Sequence, residues 1–591
     1  MPTRMSGSAL DGLDDAQREA ASALRGPVCV LAGAGTGKTR VITHRIAHGV
    51  ETGAYTPNRV MAVTFTSKAA GEMRGRLHRL GVPGVAARTF HAAALSQLNF
   101  FWPTVAKDSA PGIVDNKVKL LAHAADSIGL DLDRPTLRDV AADIEWRKVT
   151  LRSLDAYAHA RPGGIGGLPV ERVVALQRAY EALKDERRQL DFEDVLLACA
   201  GMLEAEPRVA AAVREQYRHF TVDEYQDVSP LQNRLLDLWL GDRRDLCVVG
   251  DASQTIYSFT GADASFLLDF ERRHPDARVV RLERSYRSAP TVLAVANELM
   301  RGRPGALRLT PARPQAEEAV PPRPSVTAYL DDELEARGVA QAVATQLKSG
   351  ADPRQIAVLY RTHAQSLALV EALSAKHVAT TVLGGRRFFD IPEVRQAVMA
   401  IRAAAVAPTT GSLVLSVRDV LRGLGLTDAP PPAGGALREA WEARAALLRL
   451  AEESPEDMTL RAFGDELQRR AKDQHEPTVR TVTLATLHAA KGLEWDHVHL
   501  VGMAEGLLPI SYATTFEQVD EERRLAYVGI TRAARTLSMS WARGGGRQER
   551  LPSRFLREIG TSTVDEVNMR RSTAGVRRPP ASPPARRSPV R

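Results

Sequence analysis

The sequence predicts an α/β protein of two lobes, each built on a parallel β-sheet and each carrying a mainly helical insertion. Three observations support this class. Short apolar runs rich in β-branched residues alternate with longer helix-like stretches, a pattern typical of parallel sheets covered by helices. The chain has 591 residues, more than one hydrophobic core usually supports. A proline-rich segment at 309–325, LTPARPQAEEAVPPRPS, divides the apolar runs into two groups.

The candidate strands divide evenly between the two lobes. The runs before the proline-rich segment are PVCVLAG, RVMAVTFT, HFTVDE, DLCVVGD and RVVRLE. The runs after it are QIAVLYR, ATTVLGG, VRTVTLATLH, VHLVGM and LSMSW. We expect the first lobe to comprise residues 1–91 and 189–283, and the second lobe to comprise residues 284–390 and 479–560.

Two stretches interrupt the alternation and are predicted to be helical insertions, one in each lobe. Residues 92–188 include IVDNKVKLLAHAADSIGL and LPVERVVALQRAYEALKDE, in which apolar residues recur at helical spacing. Residues 391–478 show the same spacing in EVRQAVMAIRAAAV and LREAWEARAALLRLAEE. Residues 561–591 are too polar and proline-rich to bury a core, so we predict a disordered basic tail there.

The composition excludes several classes of protein. No apolar run approaches the roughly 18 residues that span a bilayer, and the N-terminus lacks the apolar core of a secretion signal, so we expect a cytoplasmic protein. The three cysteines form no CxxC pair, which predicts buried thiols and no zinc or iron–sulfur site. The net charge is +8, but five of these charges lie in the tail, with its seven Arg and two acidic residues. Charge alone is therefore no argument for a nucleic-acid partner; the tail is either a solubilising end or a loose phosphate-binding arm.

The motif CVLAGAGTGKTR places a glycine-rich turn between a strand and an expected helix. The backbone N–H groups of such a turn face phosphates, Lys38 is expected to reach the β and γ oxygens, and Thr39 to hold Mg²⁺. Ala32 stands where the simplest form of the motif has its first glycine, a position that needs a small side chain. The residues of this motif assigned to ATP are Ala32, Gly33, Ala34, Gly35, Thr36, Gly37, Lys38 and Thr39.

The stretch HFTVDEYQDVSP, residues 219–230, runs a predicted strand into Asp223 and Glu224. Beside a phosphate-binding loop, Asp223 is expected to anchor Mg²⁺ through water, and Glu224 to orient and deprotonate the attacking water. A glycosidase also uses two carboxylates, but they must flank a sugar, whereas adjacent strand residues point to opposite sides. A solvated turn is the remaining alternative.

With AGAGTGKTR and VDEYQD, the chain resembles the superfamily 1 DNA helicases of the UvrD, PcrA and Rep family, and the resemblance extends from about residue 13 to 541. It implies two tandem RecA-like P-loop lobes, ATP and Mg²⁺ as cofactors and DNA as partner. LDDAQREA resembles the adenine-reading motif, with Gln17 as the reader and Arg40 beside it. In LERSYRS, Tyr286 matches the residue that stacks on adenine, and Glu494 of ATLHAAKGLEWDHVHLVG matches the ribose contact.

The same resemblance assigns residues to hydrolysis. Gln254 of VVGDASQTIYSFTGAD matches the γ-phosphate sensor, while Arg287 and Arg532 match two arginine fingers. A finger arginine can be worth roughly three to five orders of magnitude in rate, and ATP bound between lobes would draw these arginines toward the P-loop. The complete set of predicted catalytic residues is Lys38, Asp223, Glu224, Gln254, Arg287 and Arg532.

Other motifs resemble the DNA contacts of this family. They are AVTFTSKAAGEMRGRL, RTFHAAAL, VLYRTHAQS and VLGGRRFFDIPEVRQA. Single-stranded DNA is held without sequence preference by stacking of bases on aromatic rings and by contacts to phosphates. The resemblance implies stacking by Phe65, Tyr257 and Phe259, and backbone or base contacts by Thr64, Thr89, His91, Arg361, Thr486 and His488.

The chain departs from the family in two places. Phe259 and Thr260 stand where the family usually has Trp followed by Arg, a loss of charge that predicts a lower DNA affinity or a weaker salt dependence. The second insertion is also shorter than in the best-known members. These traits resemble the second UvrD-type helicase of actinobacteria, whose C-terminal cysteine-rich and helicase-and-RNase-D-like modules are not found in this sequence.

These motifs predict an ATP-dependent motor that moves 3′ to 5′ along single-stranded DNA and unwinds 3′-tailed duplex in repair or replication. We expect a monomer, or a dimer when active, with repair proteins as candidate partners. Two alternatives stay open. One is a translocase that displaces proteins but unwinds weakly, and the other is a nucleotide-gated DNA-binding module that is not a motor.

Overall fold

The computed structural model describes residues 8–312, 322–383, 388–405, 412–429, 431, 436–455, 457–473, 481–544 and 549–568. These residues form two large parallel β-sheets packed against helices, which confirms the predicted α/β class. Among them, no helix has both the length and the apolar character needed to cross a lipid bilayer.

The first half of the chain forms one sheet and one helical insertion. The elements before the insertion are α1 (Asp15–Ser22), β1 (Val28–Ala32), α2 (Lys38–Glu51), β2 (Val60–Thr64), α3 (Ser67–Arg79), β3 (Ala86–Thr89) and α4 (Phe90–Ala106). Those of the insertion are β4 (Gly112–Ile113), α5 (Lys117–Ser127), α6 (Arg134–Val149), α7 (Leu154–Ala160), α8 (Val170–Glu186) and β5 (Gln189–Leu190). Those after it are α9 (Phe192–Ala205), α10 (Pro207–Gln216), β6 (His219–Val222), α11 (Pro230–Leu240), β7 (Leu246–Gly250), α12 (Ser265–Leu268), α13 (Phe270–Arg273) and β8 (Arg278–Leu282).

The strand order of the first sheet is β3-β2-β6-β7-β1-β8, and every pair is parallel. The central strands are continuous apolar runs because both faces of the sheet are buried. The three cysteines are free and buried, as predicted, and burial raises the pKa of Cys29 to about 12. Since parallel strands end at the same edge, the loops that follow β1, β6 and β7 meet there, and ligands bind at this edge of open α/β sheets.

A buried charged network anchors the first insertion to α9. Lys148 of α6 lies 2.8 Å from Asp191 and 2.6 Å from Asp194, and Lys184 of α8 pairs with both carboxylates. Both lysine side chains are only 2% exposed. The same two aspartates form the capping box that begins α9. The network therefore fixes two helices of the insertion against the start of a helix that packs in the core of the first lobe.

The second half of the chain repeats the plan. Its elements up to the second insertion are β9 (Arg284–Ser285), α14 (Pro290–Leu299), β10 (Thr310–Pro311), β11 (Ser325–Asp331), α15 (Asp332–Lys348), β12 (Ile356–Tyr360), α16 (Ser366–Ser374) and β13 (Thr380–Leu383). The insertion contains α17 (Pro392–Ala404), α18 (Leu413–Gly423), α19 (Ala436–Glu452) and α20 (Leu460–Asp473). The remaining elements are β14 (Val482–Thr486), β15 (Trp495–Leu500), α21 (Phe516–Ile530), β16 (Ala533–Gly544), α22 (Arg554–Ile559) and β17 (Asp565–Asn568).

The strand order of the second sheet is β13-β14-β12-β15-β16-β11-β17, again entirely parallel. The sequence did not predict β3, β11 or β17. The last of these corrects one boundary, because residues 565–568 pair with β11 although they fall in the range predicted to be a disordered tail. The rest of that tail, 569–591, and most of the proline-rich segment, 313–321, lie outside the described residues.

The two insertions contact each other. Arg138 of α6 forms an ion pair with Glu393 of α17 at 2.7 Å, and Glu393 is only 6% exposed. The neighbouring carboxylate of Asp139 accepts hydrogen bonds from the backbone N–H groups of Ala436 and Leu437, the latter at 2.9 Å. Asp139 therefore caps the first turn of α19 from the other insertion.

Candidate nucleotide and DNA sites

Strand β1 passes into helix α2 through the loop 33–37, the P-loop. The loop turns on Gly35 and Gly37, whose φ angles of 74° and 86° favour glycine. The hydroxyl of Thr36 donates a 2.9 Å hydrogen bond across the turn to the carbonyl of Gly33. Within the described ranges, no side chain caps the N-terminus of α2, and the first turn of this helix holds no acidic residue. This helix terminus therefore suits an anion such as a phosphate group.

The predicted carboxylate pair faces the P-loop lysine. Lys38 Nζ lies 3.8 Å from Glu224 Oε2, and Glu224 has the left-handed φ of 53° that non-glycine residues seldom adopt. Burial raises the pKa of Asp223 to about 7, and the adjacent charge of Glu224 adds to this effect. Burial also acts to raise the pKa of Glu224, but the cations of Lys38 and Lys491 outweigh it and bring the value to about 2. Glu224 is therefore ionised at neutral pH.

The donor set beside the P-loop fits Mg²⁺. Thr39 offers a hydroxyl and Asp223 a carboxylate, the hard oxygen ligands that Mg²⁺ prefers. In the part of the chain that the structure describes, no cluster of three or more His, Cys, Asp or Glu could enclose a metal without help. Mg²⁺ bound by one or two protein oxygens usually keeps phosphate oxygens and several waters in its coordination shell.

The residues predicted to read adenine gather at one end of the P-loop. Gln17 is 2% exposed and donates to the carbonyl of Thr36 at 2.9 Å. Asp14 joins two of the predicted residues, because it accepts from the backbone N–H of Gln17 at 2.8 Å and from the Tyr286 hydroxyl at 2.6 Å. Arg40 donates to a carbonyl of the loop before α1 at 2.8 Å. The structure thus brings all three predicted contacts together.

The predicted finger Arg287 lies against the P-loop. The backbone N–H of Tyr286 donates to the carbonyl of Gly35 at 2.9 Å, and a Cβ atom on Gly35 would lie 2.7 Å from the Cβ of Arg287. The Arg287 guanidinium forms a 2.5 Å ion pair with Glu494, the predicted ribose contact, and donates to the carbonyl of Thr531. The backbone of this finger therefore lies against the P-loop, while its guanidinium is paired with Glu494.

The second predicted finger, Arg532, is 2% exposed and reaches the first lobe. It donates to two carbonyls of its own lobe at 3.0 and 3.1 Å and to Gln254 Oε1 at 3.2 Å. Gln254 in turn donates to Asp251 at 2.7 Å. Burial lowers the pKa of Arg532 to about 9, helped by the charge of Arg287, so the guanidinium stays protonated at neutral pH.

The structure adds a residue that the sequence did not single out. Lys491, in the loop after β14, donates to Asp227 at 2.5 Å and to the carbonyl of Gln254 at 2.8 Å, and its ammonium lies 4.9 Å from the centre of the Tyr257 ring. Burial raises the pKa of Asp227 to about 6, an effect that Lys491 opposes. The sequence of the AAKGLEW segment does not indicate a role for its lysine, because that role depends on contacts of this loop with the first lobe.

Four rings form one surface across the junction of the lobes. Phe65 and Tyr257 stack at 5.5 Å and 14°, Tyr257 lies 6.3 Å from Phe259, and Phe259 meets His488 edge-on at 5.8 Å. Phe65 is 44% exposed and Phe259 60% exposed, unusual for such large apolar side chains. We call Phe65, Tyr257, Phe259 and His488 the aromatic surface. Burial lowers the pKa of His488 to about 3, so this ring is neutral.

The predicted threonine contacts sit at the ends of strands. Thr64 ends β2 and is 1% exposed, and its hydroxyl has no hydrogen-bond partner among the residues that the structure describes. Thr89 accepts from the N–H of Ala92 at 3.1 Å and so caps α4. Thr486 accepts from the N–H of Ala489 at 3.3 Å. Two of the three hydroxyls therefore order the backbone that follows them.

The last two predicted DNA contacts are engaged within the protein. Arg361 pairs with both carboxylate oxygens of Glu522 at 2.8 to 3.1 Å. His91 packs on Phe192, with ring centres 5.4 Å apart, and burial lowers its pKa to about 4. Phe192 is 60% exposed and was not predicted from the sequence. It begins α9, where the first insertion rejoins the lobe.

Comparison with known proteins identifies the family of the chain. The model of the UvrD/REP helicase N-terminal domain matches residues 13–275, and that of the UvrD-like helicase C-terminal domain matches residues 280–426 and 443–544. The ATP-dependent DNA helicase UvrD2 of Mycobacterium tuberculosis (strain ATCC 25618 / H37Rv) is 48% identical over 93% of this chain and 82% of its own length. DNA helicase II of Escherichia coli (strain K12) is 30% identical over 95% of this chain and 89% of its own. The ATP-dependent DNA helicase PcrA of Leuconostoc citreum is 28% identical over 94% and 86%, respectively. The chain therefore belongs to the UvrD/REP helicase family.

Proposed function

We propose that this protein is an ATP-dependent DNA helicase that hydrolyses ATP between its two lobes, moves 3′ to 5′ along single-stranded DNA and unwinds duplex. The observation that carries the proposal is the contact of Arg532 with Gln254, which brings a second-lobe guanidinium to the P-loop lobe. The names of the relatives, which are ATP-dependent DNA helicases, support the same activity. The proposal keeps the domain boundaries predicted from the sequence except at two places. Helix α4, which contains the start of the predicted first insertion, packs in the core of the first lobe, and residues 565–568 pair with β11 of the second lobe.

The chemistry follows from the charges beside the P-loop. Lys38 and the free N–H groups at the start of α2 bind the phosphates. Glu224, ionised at neutral pH, orients the attacking water and accepts its proton. Arg287 and Arg532 stabilise the charge that develops on the transferred phosphoryl group. Mg²⁺, held by Thr39 and Asp223, would neutralise phosphate charge when bound.

Hydrolysis is coupled to DNA through one loop of the first lobe. This loop, 251–260, carries Gln254 at the ATP site and Tyr257 on the aromatic surface. Lys491 contacts both residues from the second lobe. Closure and release of the lobes therefore act on the γ-phosphate sensor and on the stacked rings together. Repeated cycles of this kind move a DNA strand, stacked on these rings, in one direction past the junction of the two lobes.

One observation favours the weaker-unwinding alternative. Thr260 stands where the family usually has an arginine. Its hydroxyl donates to the carbonyl of Tyr257 at 2.8 Å, so this donor is used within its own loop and not for DNA. We propose a translocase with weak strand separation as the second candidate. Strand separation on a 3′-tailed duplex, measured beside the rate of movement on single strands, distinguishes the two. A monomeric state with a dimer as the active form, repair proteins as partners and a cytoplasmic location remain part of the proposed helicase function.

The test is ATP hydrolysis by the full chain with and without single-stranded DNA, followed by unwinding of duplexes with 3′ or 5′ tails. We expect DNA to stimulate hydrolysis, unwinding to require the 3′ tail, and Lys38→Ala to abolish both. An equal rate of ATP hydrolysis with and without single-stranded DNA would overturn the proposal. Preference for the 5′ tail would overturn the direction alone.

A further inference from the structure

The first insertion meets the aromatic surface at Gly261. This glycine has φ 95°, and a Cβ placed on it would lie 2.6 Å from Val149 Cγ2, 3.2 Å from Thr150 Cγ2 and 3.8 Å from Trp146 Cδ1. The end of α6 therefore packs directly on the loop that carries Phe259. Phe259 and the residue after it are exposed, so this end of the aromatic surface borders the first insertion at Gly261.

Two arginines lie on the same tryptophan at this junction. The guanidinium carbon of Arg152 is 5.1 Å from the centre of the Trp146 ring, and that of Arg161 is 4.6 Å from it. Both arginines are exposed. Among the described residues, neither forms an ion pair, whereas Arg147 on the same helix pairs with Glu181. A cation–π contact holds a guanidinium in place without neutralising it, so two positive charges are positioned here and left uncompensated.

The chemistry of this pair selects its ligand. An exposed guanidinium matches the oxygens of a phosphate group, with two parallel N–H donors per contact. Exposed rings beside unpaired cations are the combination that holds single strands, since bases stack on the rings and the cations follow the backbone. The adjoining hydroxyl of Thr260 is already hydrogen-bonded within its loop. Arg152 and Arg161 are therefore suited to supply the phosphate contacts at this junction.

We propose that Trp146, Arg152 and Arg161, the arginine clamp, bind the phosphodiester backbone of the DNA strand that crosses the aromatic surface. The clamp extends the DNA site from the two lobes onto the first insertion. It supplies the positive charge that the loop 258–261 lacks. The inference rests on the proposed function, because it requires that DNA occupy the aromatic surface.

The test is a salt titration of DNA binding by the full chain, with a fluorescently labelled oligothymidine as probe and anisotropy as readout. We expect Arg152→Ala/Arg161→Ala to weaken binding about tenfold near 50 mM salt and to make the slope of log K against log salt shallower by about 1.4, the value for two single-strand phosphate contacts. DNA-independent ATP hydrolysis should stay unchanged. Circular dichroism checks that the variant is folded.

The matched control removes two other exposed arginines of the same insertion. Arg172 and Arg178, on α8, form no ion pair among the described residues, and Arg172→Ala/Arg178→Ala changes the net charge equally. We expect this control to keep the wild-type slope. Equal loss in both double variants would overturn the clamp in favour of diffuse attraction.

Further variants separate failure of the clamp from failure of the proposed function. Phe65→Ala/Tyr257→Ala removes stacking from the aromatic surface and should weaken binding to the same oligonucleotide. If it does so while Arg152→Ala/Arg161→Ala binds like the wild type, the clamp is wrong and the function stands. If the wild-type chain binds no oligonucleotide, the proposed function fails. A clamp effect seen only with a 3′-tailed duplex would overturn the assignment to the single strand.

Discussion

The ammonium of Lys491 and the buried carboxylate of Asp227 lie 2.5 Å apart across the junction of the two lobes. Their side chains are 9% and 1% exposed, so this is an internal ion pair between parts of the chain that fold as separate sheets. Breaking such a pair from one side leaves an uncompensated buried charge, whereas removing both charges does not.

We therefore expect Lys491→Met to destabilise the protein by about 3 kcal/mol or more, and Lys491→Met/Asp227→Asn to recover most of this loss. Thermal unfolding followed by circular dichroism measures both. The double variant should still show poor stimulation of ATP hydrolysis by DNA, because the contacts of Lys491 with Gln254 and Tyr257 are lost. If Lys491→Met were as stable as the wild type, the buried ion pair with Asp227 would not have the stabilising role assigned to it.

A methyl group on Gly35 should disturb the finger. In Gly35→Ala the new Cβ would lie 2.6 Å from Ser285 Oγ and 2.7 Å from Arg287 Cβ, so the finger segment must move. We expect ATP hydrolysis to fall by about 10²-fold, the cost of a misplacement of about 1 Å. Gly53→Ala is the control, because Gly53 has nearly the same φ, 75°, and the added Cβ would meet no atom within 4 Å from the described part of the chain beyond its chain neighbours. If the two variants hydrolyse ATP equally, backbone strain and not the finger explains the loss.

The two fingers should differ in their effect on stability. Arg287 pairs with Glu494, whose side chain is 62% exposed, so Arg287→Ala should change the free energy of unfolding by less than about 1 kcal/mol. It should nevertheless lower turnover by roughly 10³-fold with nucleotide binding retained. Arg532→Ala should abolish turnover and also lower the melting temperature, because it leaves buried hydrogen-bond acceptors unpaired. Normal hydrolysis by Arg287→Ala would refute its role as a finger.

Glu335 should make stability depend on pH. Its carboxylate is buried in the second lobe, where it accepts from the N–H of Gly502 and the hydroxyl of Ser540, and burial raises its pKa from 4.5 to about 7. A raised pKa means that the folded state holds the proton more tightly. This contribution is therefore complete below about pH 4.5 and is lost as pH rises through about 7.

We expect Glu335→Gln to remove this dependence, which amounts to about 3 kcal/mol between about pH 4.5 and about pH 8. Unfolding at several pH values, compared with the wild type, measures it. Glu333→Gln, an exposed residue of the same helix, controls for the loss of one charge. If the free energy of unfolding changed with pH in the same way for the wild type and Glu335→Gln, the pH dependence would not come from Glu335.

Local patterns explain which strands the sequence predicted. The central strands are continuous apolar runs such as VCVLA and LCVVG, and such runs have few alternatives to a buried strand. The three strands of the two large sheets that the sequence did not predict lack this signal. Strand β3 is AART, β17 begins with two acidic residues, and β11 directly follows a proline-rich segment. Their pairing depends on neighbouring strands and not on their own composition.

The same distinction holds at the candidate site. Motifs of adjacent residues indicated the P-loop and the carboxylates, because the chemistry of phosphate binding fixes residue types at short spacing. Both fingers were assigned through the resemblance to the helicase family. Contacts between distant segments carried no such signal. The pairing of Arg361 with Glu522 and the position of Trp146 beside Gly261 depend on how the lobes and insertions pack.

The contact between the insertions has a thermodynamic consequence for the second one. Helix α19 receives hydrogen bonds to two of its first N–H groups from Asp139, a residue more than 290 positions earlier in the chain. Separation of the insertions would strip that cap, at a cost of about 1 kcal/mol to the helix. Unfolding of α19 and separation of the two insertions are thus linked equilibria. A ligand or mutation that shifts one of them must also shift the other.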